Sequence, residues 1–141
     1  MQSTTIALLG YIAWTLVLIL AVEISRTYLV LAKGHRVTQF KPDGTDVSPF
    51  MHRLCRAHAN CVENFPVFGG FLILALATQQ TKITDGLALY FLAARCLQSV
   101  THLISGRTLA INLRFMFYAV QLAISCIWLF RFIQTFFLLH S

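Results

Sequence analysis

Apolar residues are not spread evenly along this chain but gather in four blocks, at about residues 6–31, 62–78, 87–104 and 115–139. A helix needs roughly 20 such residues to cross about 30 Å of hydrocarbon. Each block approaches or exceeds that length, the second only if its helix begins upstream, near His52. The stretch RAHANCVENFP, residues 56–66, then lies on the helix itself. The first block is too long for the apolar region of a signal peptide, and no basic residue precedes Ile6. The pattern predicts an all-α integral membrane protein, a four-transmembrane-helix bundle forming a single domain over residues 1–141. Between the blocks, residues 33–50 form the one substantial soluble segment, with a turn at Pro42-Asp43-Gly44. The connections at 81–86 and 104–108 are short enough to keep neighbouring helices antiparallel.

Composition supports the pattern. The chain is 57% hydrophobic and 11% charged, more apolar than a soluble domain of 141 residues could hide around one core. The net charge of +6 is concentrated in loops. Lys33, Arg36, Lys41 and Arg53 lie between the first two spans, and Arg107 and Arg114 between the third and fourth. The second connection has only Lys82, beside Asp85. By the positive-inside rule the first and third loops are cytoplasmic and both termini lie on the other side. Topology thus accounts for these charges without a nucleic-acid face. Cys55, Cys61, Cys96 and Cys126 show no close pairing and read as small apolar residues. Cys55, His58 and Cys61 recur every three residues, which walks them around a helix, so no metal site is expected.

Against this apolar background the polar residues are conspicuous. Arg56, Asn60 and Glu63 are spaced four and three and share one helix face, which Arg53 extends. Arg95, Gln98 and His102 form a stripe on the third helix, and Arg114, Tyr118 and Gln121 one on the fourth. Glu23 and Arg26 stand three apart on the first. Pairs such as Arg26–Glu23 and Arg56–Glu63 could simply satisfy one another inside a bundle. Ionised groups within a bilayer are costly, however, and are expected to face protein or a water-filled cavity. Four stripes at similar depth, with more arginines than carboxylates, invite an anionic ligand. Asn60 can donate and accept, and Glu63 can hold an amine. The pattern suits a small zwitterion or polyanion entering from the cytoplasm.

RAHANCVENFP resembles the second-helix signature of the MAPEG family, membrane-associated proteins in eicosanoid and glutathione metabolism. RCLQSVTHLISG and NLRFMFYAVQL extend the resemblance over essentially the whole chain. It implies a homotrimer of four-helix bundles, with glutathione bound as cosubstrate between neighbouring subunits near the cytoplasmic side. By this resemblance Arg26, Arg56, Asn60, Glu63 and Arg95 are glutathione-contacting, with Arg53 and Gln98 beside them by position. Arg114 matches the arginine held to stabilise the glutathione thiolate. His102 falls where a tyrosine is usual and could donate a proton. Phe117 and Tyr118 both fit the fourth-helix tyrosine. The sequence departs from the family pattern at Ala59, where some members have arginine, and at Gln98, where histidine or tyrosine is more usual.

The implied activity is that of a membrane-bound glutathione transferase or peroxidase. It would present glutathione as thiolate to a lipophilic small molecule, an electrophile or hydroperoxide, arriving laterally from the membrane lipids. A non-catalytic glutathione- or lipid-binding membrane protein, a small-solute transporter and a membrane scaffold are the alternatives. The expected location is a bacterial inner membrane with periplasmic termini, an endoplasmic reticulum membrane being the alternative.

Overall fold

A computed structural model describes residues 2–138. Four long helices account for most of them: α1 (Gln2–Lys33), α2 (Pro49–Ala77), α3 (Asp85–Ile104) and α4 (Thr108–Ile133). A π-helical turn, Gln134–Leu138, continues α4, and short 3₁₀ turns occupy Val37–Gln39 and Thr81–Ile83. All four helices are long and apolar enough to cross a membrane. Their outward faces carry Leu9, Ile24, Tyr90 and Phe130, each more than half exposed. Such a surface suits lipid rather than water, and the chain is an integral, multi-pass membrane protein.

Two helices begin earlier than their apolar blocks suggest. For α2 the cause is local: the Ser48 hydroxyl accepts from the Met51 N–H at 3.0 Å, and Pro49 follows in the first turn, where its missing N–H costs nothing. α2 therefore starts three residues before His52. α4 opens at Thr108 rather than near 115, so Arg114 sits within its second turn. The expected end of that block, Leu139, lies outside the described residues.

The helices are knitted in an up-and-down order. α3 packs along α4, and α1 along both α2 and α3, whereas α2 and α4 touch little. At one end the Thr4 hydroxyl and N–H donate to Asp85 Oδ1 at 2.6 and 2.9 Å, and the Thr4 and Thr84 hydroxyls meet at 2.7 Å. These contacts pin the start of α1 to the start of α3. Nearby Gly10 lets the two helices approach closely, since a Cβ there would meet the Leu92 side chain at 2.5 Å. Mid-bundle, Phe91 is the hub of an aromatic core, its ring centroid 6.1 Å from that of Tyr11, 5.2 Å from Phe68 and 5.5 Å from Trp128. The Tyr11 hydroxyl donates to the Cys61 carbonyl at 2.9 Å.

At the other end the basic loop folds back over α2. Gly44 has φ +70°, and an added Cβ would lie 3.0 Å from the Met51 backbone, so this turn admits glycine alone without rearrangement. Asp43 accepts from the Thr45 N–H at 3.1 Å and its hydroxyl at 2.8 Å, which holds its pKa below the usual carboxylate value. Cys55 and Cys61 are buried as expected of small apolar residues, while Cys126 faces outward.

Candidate functional site

Where α2, α3 and α4 part at the basic end they leave a cleft of about 530 Å³. α2 contributes His52, Arg53, Arg56 and Asn60; α3 contributes Gln98 and His102; α4 contributes Arg114 and Tyr118. Seven of the ten residues singled out from the sequence line this cavity. Apolar walls come from Ile111 and Phe115, and among the described residues no aspartate or glutamate lines it.

The remaining three lie elsewhere. Arg95 is fully buried directly behind the cleft. Glu63 is exposed two turns deeper along α2 than Arg56 and does not line the cleft, and among the described residues nothing pairs it with Arg56. Arg26 lines a separate groove beside Phe40, where it pairs with Glu23 at 3.3 Å and donates to the Lys41 carbonyl at 3.2 Å. Helical geometry explains Glu63. Glu63 lies seven residues beyond Arg56, about 20° away around the helix and two turns deeper, on the same exposed side. Asn64 instead follows Arg56 and Asn60 four at a time along a ridge that turns toward α4. The Tyr118 hydroxyl then donates to Asn64 Oδ1 at 3.1 Å, joining α4 to that ridge. Of the two residues fitting the fourth-helix tyrosine, Tyr118 lines the cleft, while the Phe117 carbonyl accepts from the Gln121 amide at 2.9 Å.

Arg95 organises the polar wall. Its guanidinium donates to Asn60 Oδ1 and, at 3.3 Å, to Gln121 Oε1, and it lies 5.6 Å from the Tyr11 ring centroid. Gln121 passes the polarity on, its Nε2 donating to Gln98 Oε1 at 2.9 Å. A guanidinium only donates, so both carboxamide chains run in one direction. Asn60 and Gln98 have their oxygens engaged with protein, leaving their amide N–H groups for the cleft. Together with Arg53, Arg56 and Arg114 this gives a wall of donors and positive charge. Gln121, Asn64, His52 and Tyr11 were not among the expected site residues. Only Gln121 carried a signal in the sequence, three residues after Tyr118 in the same stripe.

Two contacts shape the mouth. Arg53 Nε donates to the Leu103 carbonyl at 3.1 Å, satisfying one of the free carbonyls in the last turn of α3. Arg114 Nη1 lies 2.8 Å from His102 Nδ1. Because the guanidinium must donate, His102 Nδ1 accepts and the imidazole is neutral, with its proton on Nε2. Among the described residues, no group of three or more histidine, cysteine, aspartate or glutamate side chains is placed to hold a metal ion.

A donor-lined cleft inside a four-helix membrane bundle narrows the field, and comparison of the sequence with family profiles decides it: the profile of the MAPEG family matches residues 4–134. The chain belongs to the MAPEG family. No individually curated protein and no solved structure gives a match. As a MAPEG protein it falls in a class of membrane-associated proteins that handle lipids and glutathione. The matched region takes in nearly the whole of the four membrane spans and every residue of the cleft.

Proposed function

We propose that this MAPEG protein is a membrane-bound glutathione transferase or peroxidase, holding glutathione in the basic cleft as cosubstrate and turning its thiolate on a lipophilic electrophile or hydroperoxide. The observation that carries the reading is the donor-rich wall of the cleft, with three arginines, two oriented amides and, among the described residues, no aspartate or glutamate.

The residues fit the ligand in part. Arg53, Arg56, Asn60 and Gln98 suit its two carboxylates. Its ammonium has no acidic partner among the cleft-lining residues. Glu63 and Arg26, both outside the cleft, are in our reading supplied across a subunit interface of a homotrimer, so that the complete site needs a neighbouring copy. The thiol supplies a nucleophile once ionised, and an ordinary thiol with a pKa near 8.5 is only a few per cent ionised at neutrality. Arg114 is the group to change that. Opposite charges about 4 Å apart at an effective dielectric near 20 interact by about 4 kcal/mol, equivalent to about three pKa units. That exceeds the roughly 1.5 units needed to bring the thiol to neutrality. The released proton leaves to water, because His102 Nδ1 is already occupied by Arg114. Tyr118 offers a hydroxyl at the inner wall of the cleft.

Titrating the detergent-solubilised protein with glutathione, while recording the ultraviolet difference absorbance of the thiolate, tests this directly. A saturable signal lost in Arg114→Ala is the expected outcome. Binding without the signal would reduce the protein to a glutathione-binding module, and no binding at all would overturn the assignment.

A further inference from the structure

Arg114 is an arginine on a helix at a cavity wall, and such a side chain has many rotamers. Activation of a thiol needs the guanidinium held at one place, because the Coulomb energy falls with distance and a solvated arginine samples most of its range in water. Among the described residues the contact recorded for the Arg114 guanidinium is the 2.8 Å one to His102 Nδ1. The two side chains reach each other across the α3–α4 turn, twelve residues apart in sequence, and both line the cleft. Arg53 and Arg56 repel Arg114, Gln98 has its oxygen engaged by Gln121, the Tyr118 hydroxyl is turned to Asn64, and among the described residues no aspartate or glutamate lines the wall.

From this geometry we infer that His102 is a positioning residue for Arg114. Its neutral Nδ1 accepts one guanidinium N–H and fixes the direction in which the remaining donors face the cleft. The inference rests on the thiol-activating role proposed for Arg114. A histidine suits the task better than a carboxylate would. An aspartate or glutamate there would hold Arg114 more strongly but would cancel its charge, and with it the stabilisation of a thiolate. A neutral acceptor orients without neutralising. The same bond fixes the tautomer, so His102 keeps a donor on Nε2 and acts neither as the base for the thiol nor as a ligand-binding cation.

Two measurements test this. The first needs no glutathione: nitrogen-15 spectra of histidine-labelled protein at neutral pH, with the His102 signal assigned by its loss in His102→Leu or His102→Asn. An unprotonated Nδ1 with the proton on Nε2 is expected; a proton on Nδ1, or an imidazolium, overturns the inference. The second compares His102→Asn, whose Oδ1 can replace Nδ1 as acceptor, with His102→Leu, which has no acceptor. The bound thiol pKa, read by titrating the thiolate absorbance against pH, should be about one unit higher in His102→Leu than in His102→Asn, a tenfold change in the ionisation constant. Glutathione binding, measured calorimetrically in parallel, should change much less. An equal bound-thiol pKa in the two variants overturns the role of His102 alone. Absence of thiolate in the wild-type protein overturns the activation by Arg114 and this inference together.

Discussion

Asn60 and Gln98 are carboxamides, and a carboxamide can offer a ligand either of two chemically opposite faces. In this protein the choice is made by Arg95, which no ligand in the cleft is placed to touch. A buried guanidinium is a costly way to orient two amides, because desolvation opposes it; its benefit lies in being unable to reverse. Gln121→Glu tests the idea. A glutamate there would pair with Arg95 and leave the fold as stable as before, but it could no longer donate to Gln98, whose amide would turn its oxygen to the cleft. Glutathione affinity should fall by about 10-fold to 100-fold, the equivalent of one charge-assisted hydrogen bond, by calorimetric titration at an unchanged melting temperature. Unchanged affinity would refute the directional chain. The sequence showed that Arg95, Gln98 and Gln121 belong to polar stripes, because spacing along one helix is readable. It could not show that Arg95 faces inward while Glu63 faces out, since that depends on which neighbour each ridge meets.

The helices themselves were largely legible, because a bilayer demands long apolar runs and little else satisfies their backbone. The starts of α2 and α4 were less so, being set by a cap and by amphipathic turns rather than by hydropathy. That difference has a consequence for α2, whose first five residues carry His52 and Arg53 into the cleft. Ser48→Ala removes the cap and should cost about 1 kcal/mol locally. The rest of the helix is held by packing and lipid, so global thermal stability should barely move. Hydrogen exchange at the Met51 amide should instead speed up by about fivefold, with residues deeper in α2 unaffected. Acceleration along the whole helix would show that the cap supports more than its own turn.

As a whole the bundle is unequal at its two ends. Thr4, Thr84 and Asp85 tie α1 to α3 at one end, while at the other the helices part around the basic cleft and the long loop folds beside it. On the function proposed above, a hydrophilic ligand meets this protein from one side of the membrane only, while an oily one reaches it through the plane of the bilayer. In sealed vesicles of known orientation, impermeant glutathione should give its thiolate signal only when the loop of residues 34–48 faces the bath, and the opposite population should stay silent until the membrane is opened. The protein would then be vectorial without transporting anything: its reducing power would be drawn from one compartment and delivered to molecules dissolved in the lipid between the two.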